Sequence, residues 1–142
     1  MEIAPLPADL VPDAVALWTE AGLTRPWNDP AVDCRRALLG PDSTVLAARD
    51  DAGLAATAMI GHDGHRGWVY YLAVADRLRG SGLGRQMMLA CEAWLRARDI
   101  SKLHLMVRTE NTQVLGFYAH LGYEPADTVV MARRLDGPHQ LA

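Results

Sequence analysis

The chain has 142 residues, half of them apolar and 22% charged, with a formal net charge of -3 and a pI near 5.9. That length suits one domain, residues 1–142, able to bury a real core. The acidic balance argues against a nucleic-acid partner, which favours a basic face, and no apolar run approaches the length of a membrane span.

The first residues, with Glu2, Pro5, Pro7 and Asp9, lack the charged-then-apolar pattern of a secretory signal. Ile3 begins a short strand that the two prolines end. Asp9 reads as the cap of a first helix, with Pro12 tolerable in its first turn and Gly22 as its stop. Asp29 followed by Pro30 reads as a cap and a first-turn proline for a second helix, which Gly40 and Pro41 end. In the loop between them, Arg25, Trp27 and Asn28 form a candidate substrate wall.

Strands are expected over 44–49, 54–60 and 68–74, joined by short Gly/Asp turns at 50–53 and 61–67, which favours an antiparallel meander. From Gly82 the chain turns helical, with Leu83, Met87, Cys91, Trp94 and Leu95 on one face. Residues 102–108 alternate as a strand. Asn111 caps a helix that Gly122 ends, and a last strand is expected over 129–135. The tail over 136–142 is expected to be loose. Cys34 and Cys91 each sit mid-helix at no metal or redox spacing, so no metal site is expected and a reducing cytoplasm suits them.

The sum is a mixed α/β, or α+β, architecture: a mostly antiparallel central sheet flanked by about four helices. One parallel pair is expected where the Gly82 helix crosses between 69–74 and 102–108. An exposed edge at 129–135 would allow pairing between subunits as a homodimer.

Chemistry concentrates in Arg79-Gly80-Ser81-Gly82-Leu83-Gly84, just after an apolar strand and at the start of a helix. Glycines let the backbone approach a ligand closely, and a helix start presents unpaired N–H groups with partial positive charge. This is a socket for phosphate or pyrophosphate. A nucleotide-hydrolysing P-loop needs Lys then Ser or Thr after its last glycine, and here Arg85 and Gln86 follow. A dinucleotide fingerprint needs its third glycine one residue later and lies near the first strand, so that fails too.

The pattern Arg79-x-x-Gly82-x-Gly84 after Leu72-Ala73-Val74, with Asn111 and Gly116-Phe117-Tyr118 downstream, resembles the GNAT superfamily of acetyl-CoA-dependent N-acetyltransferases. Asn28-Asp29-Pro30 and Asp63-Gly64-His65-Arg66-Gly67 further resemble its small bacterial YpeA-like branch. The resemblance implies acetyl-CoA as donor. Leu72, Ala73 and Val74 would pair with the pantetheine arm. The backbone of Arg79, Gly80, Ser81, Gly82, Leu83, Gly84 and Arg85 would hold the pyrophosphate, and Asn111 would contact the arm. Tyr118 would donate a proton to the departing thiolate.

The expected reaction is direct attack of a small-molecule or peptide amine in a ternary complex. In the related ribosomal-protein acetyltransferases a glutamate serves as base on the strand before the asparagine, and Met106 stands at that position here. The candidates left for base duty are His104, Glu110, His65 and Tyr71, while Tyr70 and Tyr71 join Trp27 and Asn28 as candidate acceptor contacts. A catalytically inactive acetyl-CoA-binding sensor or interaction module is the alternative.

Overall fold

A computed structural model describes residues 1–137. The described chain forms two compact units, one over Met1–Met106 and one from Val107 onward.

The first unit is built on a five-stranded sheet in sequence order: β1 (Ile3–Pro5), β2 (Ser43–Asp50), β3 (Gly53–His62), β4 (Gly67–Val74) and β5 (Leu103–Leu105). Neighbours pair antiparallel except β4 and β5, which run parallel, as the helical crossover between them requires. Helices α1 (Val11–Glu20) and α2 (Pro30–Leu39) precede the meander, and α3 (Leu83–Arg96) makes the crossover.

Strand periodicity divides the core. Val45 and Ala47 of β2 join Leu6, Val11, Ala14, Leu17, Trp18, Cys34 and Ala37 in one buried cluster under α1 and α2. Leu46 and Ala48, the alternating positions, are buried as well and therefore face the opposite layer, where Met87, Met88, Cys91 and Leu95 of α3 are buried. Small side chains at Ala47, Ala48, Ala55, Ala56 and Ala58 keep both faces of the sheet shallow, so helices can lie close on either side. At Gly67 a Cβ would run into the side chain of Leu95, so this glycine lets α3 lie directly against the start of β4.

Helix ends follow the expected chemistry. The Asp29 carboxylate accepts from the amides of Ala31 and Val32 at 3.1 and 3.2 Å, with Pro30 in the first turn of α2. Helix α1 begins one residue later than a cap at Asp9 would place it, because residues Ala8–Leu10 form a 3-10 turn first. Gly22 closes it with the Leu23 amide returning to the Trp18 carbonyl at 2.9 Å.

The second unit contains α4 (Thr112–His120). The Asn111 side chain caps it by accepting from the Val114 amide at 3.3 Å, and Gly122 ends it with the Tyr123 amide on the Tyr118 carbonyl at 3.0 Å. Tyr118 is half-buried, with ring centroids 5.0 Å from Phe117 and 5.8 Å from Tyr123, both edge-on.

Two strand expectations need correction. The strand expected over 102–108 extends only through Leu103–Leu105. Its partner β4 enters a bulge after Tyr70, and a bulge bends and twists a strand away from its neighbour. Residues 129–135 form no strand: Val129, Met131 and Leu135 are more than four-fifths exposed, and apolar composition does not make a strand without a ladder partner. The exposed edge strand on which subunit pairing was expected is therefore absent there. Most of the loose tail expected over 136–142 lies outside the described residues.

Candidate active site

The bulge in β4 is the central feature of the site. Met59 of β3 pairs with Tyr70 and Thr57 pairs with Ala73, so two residues of β4, Tyr71 and Leu72, oppose the single residue Ala58. On the other edge of β4, β5 pairs only with Gly67, Trp68 and Val69. From Tyr70 to the end of β4, that edge has no strand partner among the described residues. An extended, amide-bearing ligand could add to it as a further strand.

This open edge leads into the glycine turn. Residues Asp76–Leu78 form a 3-10 turn, Gly80 and Gly82 take φ values of +76° and +85°, and α3 starts at Leu83. A Cβ at Gly82 would meet nothing within 4 Å, so backbone conformation rather than crowding calls for glycine here. The amides of Arg79 and Ser81 donate within the turn, to Asp76 and Leu78 carbonyls at 3.2 Å each. The first helical bond runs from the Gln86 amide to the Gly82 carbonyl at 3.1 Å. A helix leaves its first amides without intrahelical acceptors, and here those belong to Gly82, Leu83, Gly84 and Arg85. These free amides lie at the positive end of a 14-residue helix. Arg79 and Arg85 are exposed beside it, with Arg79 paired to Asp76 at 2.8 Å across a solvated surface where the pair adds little stability.

Tyr71 has its phenol donating to the Asp33 carboxylate of α2 at 2.9 Å. Burial, reinforced by that bond, raises its pKa well above the usual tyrosine value, so it keeps its proton at neutral pH. Tyr70 is 44% exposed, and partial burial raises its hydroxyl as well. His104 stands edge-on to Trp68 at 4.9 Å, its cross-strand partner, and its Nε2 is buried without a hydrogen-bond partner. His65 is exposed in the β3–β4 turn, which the Asp63 carboxylate shapes by accepting the His65 and Arg66 amides at 2.8 Å. Met106 follows the end of β5 and is 51% exposed. Trp27 is half-buried and Asn28 exposed in the loop before α2. In the second unit, Glu110 is exposed and accepts from the Thr109 hydroxyl at 3.3 Å.

Sequence reasoning missed Trp18, Asp33 and Thr57, all of which contact Tyr71 or its partners. Their separations along the chain leave no local pattern to find.

A helix-crossed sheet with an open strand edge running into a glycine-rich helix start is an arrangement able to hold a ligand that joins an extended amide-bearing arm to a phosphate. Residues 11–123 match the family model described as "Acetyltransferase (GNAT) family". The chain is 38% identical over 135 residues to an acetyltransferase of Yersinia pestis strain Pestoides F, covering 95% of this chain and 96% of the relative. An acetyltransferase of Yersinia enterocolitica is 39% identical over 123 residues, covering 87% of each. The protein therefore belongs to the GNAT acetyltransferase family and is an acyltransferase.

Solved structures agree in fold. A BH1408 tetramutant from Bacillus halodurans superimposes with a TM-score of 0.77 at 22% identity, covering 95% of this chain and all of that one. The aminoglycoside N-acetyltransferase AAC(6')-Iy in complex with CoA gives 0.80 at 16% identity, with 94% of each chain covered. No helix among the described residues is long and apolar enough to cross a membrane.

Proposed function

We propose that the protein moves the acetyl group of acetyl-CoA to a primary amine by direct attack in a ternary complex. The observation that carries this reading is the unpaired edge of β4 running into the amides of Gly82, Leu83, Gly84 and Arg85. One end of that track suits an amide-rich arm and the other a pyrophosphate, which together describe CoA and neither ATP nor a dinucleotide. A solved neighbour of the same fold was obtained with CoA. The family match spans both compact units, which supports reading the chain as one domain.

In the proposed reaction the amine lone pair attacks the thioester carbonyl carbon, the C–S bond breaks, and the products are an amide and CoA thiol. Tyr118 donates its phenolic proton to the departing thiolate and is reset by the proton released from the amine, while Asn111 contacts the cofactor arm in addition to capping α4. Tyr71, whose hydroxyl donates to Asp33, is set aside as a base. His104, His65 and Glu110 stay as the proposed base candidates, and capture of an already neutral amine requires no strong base. Trp27, Asn28 and Tyr70 are the proposed acceptor contacts.

Incubation with acetyl-CoA and a panel of amines should release CoA thiol. Tyr118→Phe should slow turnover by about 100- to 10,000-fold while acetyl-CoA affinity stays near that of the parent. Full turnover in that variant removes Tyr118 from the mechanism. The alternative, an acetyl-CoA-binding module without turnover, is motivated by Met106 at the position of the related enzymes' glutamate. Binding of acetyl-CoA with no thiol release across the panel favours it.

A further inference from the structure

Tyr71 occupies a conformation that its residue type disfavours. Its φ is +53° in the middle of a strand, and among the described residues only Asp99, at the end of α3, is another non-glycine with positive φ. Such strain in an aromatic residue persists only where the surroundings over-determine it, and it collects where function needs a particular backbone shape.

Three contacts hold it, and a fourth ties two of its partners together. The Tyr71 ring stacks on Trp18 with centroids 4.0 Å apart and planes 14° from parallel. Its hydroxyl donates to Asp33 Oδ2 at 2.9 Å. Its carbonyl accepts from Thr57 Oγ1 at 3.0 Å, and that same oxygen accepts from Trp18 Nε1 at 2.7 Å. Trp18 and Thr57 are fully buried, and Thr57 is the one buried polar residue of the described chain. The contacts close a ring from α1 through β3 to β4, and α2 pins the far end of the phenol. All four residues lie within the first unit.

We infer that Tyr71 is a positioning residue for acetyl transfer: the clamp of Trp18, Asp33 and Thr57 fixes the bulge that turns Leu72, Ala73 and Val74 toward the acyl-carrying arm of the cofactor. The bulge lies two residues past Val69, the last β4 residue paired with β5, and it ends one residue before Ala73 resumes pairing with Thr57. Releasing the phenol lets the strained backbone relax, and relaxation changes where the open edge aims its amides and carbonyls. The glycine turn has hydrogen bonds of its own, from the Arg79 and Ser81 amides, and keeps its conformation. The inference rests on the acetyl-CoA reading above and adds a role for residues outside the binding track.

Equilibrium binding to two probes separates the effects. Acetyl-CoA uses the whole track, and adenosine 3′,5′-bisphosphate carries phosphate and adenosine but no pantetheine arm. Tyr71→Phe keeps the stack and removes the hydroxyl, Asp33→Ala removes the acceptor, and Asp33→Asn retains an acceptor oxygen. Acetyl-CoA affinity should fall about tenfold in the first two and stay near the parent value in Asp33→Asn. Affinity for the bisphosphate should be unchanged in all three. Unchanged acetyl-CoA affinity in both Tyr71→Phe and Asp33→Ala overturns the inference, as does an equal loss for the two probes. Asp33 is half-buried on a helix surface, so its variants test the clamp even if Tyr71→Phe fails to fold. Failure of the parent protein to bind acetyl-CoA at all refutes the underlying functional reading instead.

Discussion

Replacing Gly82 with alanine tests the cofactor reading against a matched control elsewhere in the same unit. Gly82 has φ +85° and ψ 5°, and a Cβ built there touches nothing within 4 Å. The whole cost is therefore conformational, about 1–2 kcal/mol for an L-residue held in the left-handed region, or roughly 3–7 °C in Tm for a chain of this size. Gly22 has φ +73° and equally open surroundings but closes α1. Gly22→Ala should cost the same stability.

The two variants should part on ligand. If alanine at 82 relaxes toward negative φ, the amides of Leu83, Gly84 and Arg85 turn with it, and acetyl-CoA affinity should fall about tenfold. At a fixed excess of ligand, that loss removes about 1.4 kcal/mol from ligand-induced stabilisation. Thermal melts with and without acetyl-CoA, backed by calorimetric titration, read both quantities. Gly82→Ala with the parent's ligand-induced shift refutes the placement of the pyrophosphate at this helix start. An equal loss in Gly22→Ala shows that general destabilisation is responsible.

Other expectations follow from the same geometry. Asp29→Ala removes a cap accepting two amides and should cost about 1 kcal/mol in urea unfolding without altering acetyl-CoA affinity; a selective loss of affinity would give Asp29 a role beyond capping. Asp50 is held below the usual carboxylate value first by its hydrogen bonds from Arg77, the longer at 2.9 Å, and then by backbone donors. A carboxyl depressed on folding stabilises above its unfolded value and loses that contribution as pH falls. The melting difference between parent and Asp50→Asn should therefore be present at neutral pH and shrink toward pH 3; a constant difference would refute this linkage. Burial pushes the Cys34 thiol up to about 11 and the Cys91 thiol up to about 12. Both should be silent to an aromatic disulfide reagent in the native protein at pH 8 and titrate only on denaturation, which also gives a thiol-release assay a clean background.

Much of the architecture was legible because local rules specify it. Asp29-Pro30, Asn111 and Gly22 mark helix ends through hydrogen bonds spanning a few residues, and the Gly/Asp turns at 50–53 and 61–67 dictate an antiparallel meander. The glycine turn was readable for the same reason, since a left-handed start to α3 needs glycine at 82 whatever the rest of the chain does. The strands over 102–108 and 129–135 were read too generously because apolar alternation shows that a segment could pair and says nothing about a partner. One strand stops where β4 bulges, and the other has no ladder among the described residues.

The sequence by itself determined the order of elements, the glycine-rich start of α3 and the resemblance that implies acetyl-CoA as donor. Only the tertiary structure decided where the β4 edge opens and what holds it open. Tyr71 is just another aromatic in an apolar strand until Trp18, Asp33 and Thr57 converge on it from 53, 38 and 14 residues away (71 − 18, 71 − 33 and 71 − 57). Nothing local records that convergence, because a strained backbone angle is sustained by contacts that exist only once both helices have packed on the sheet.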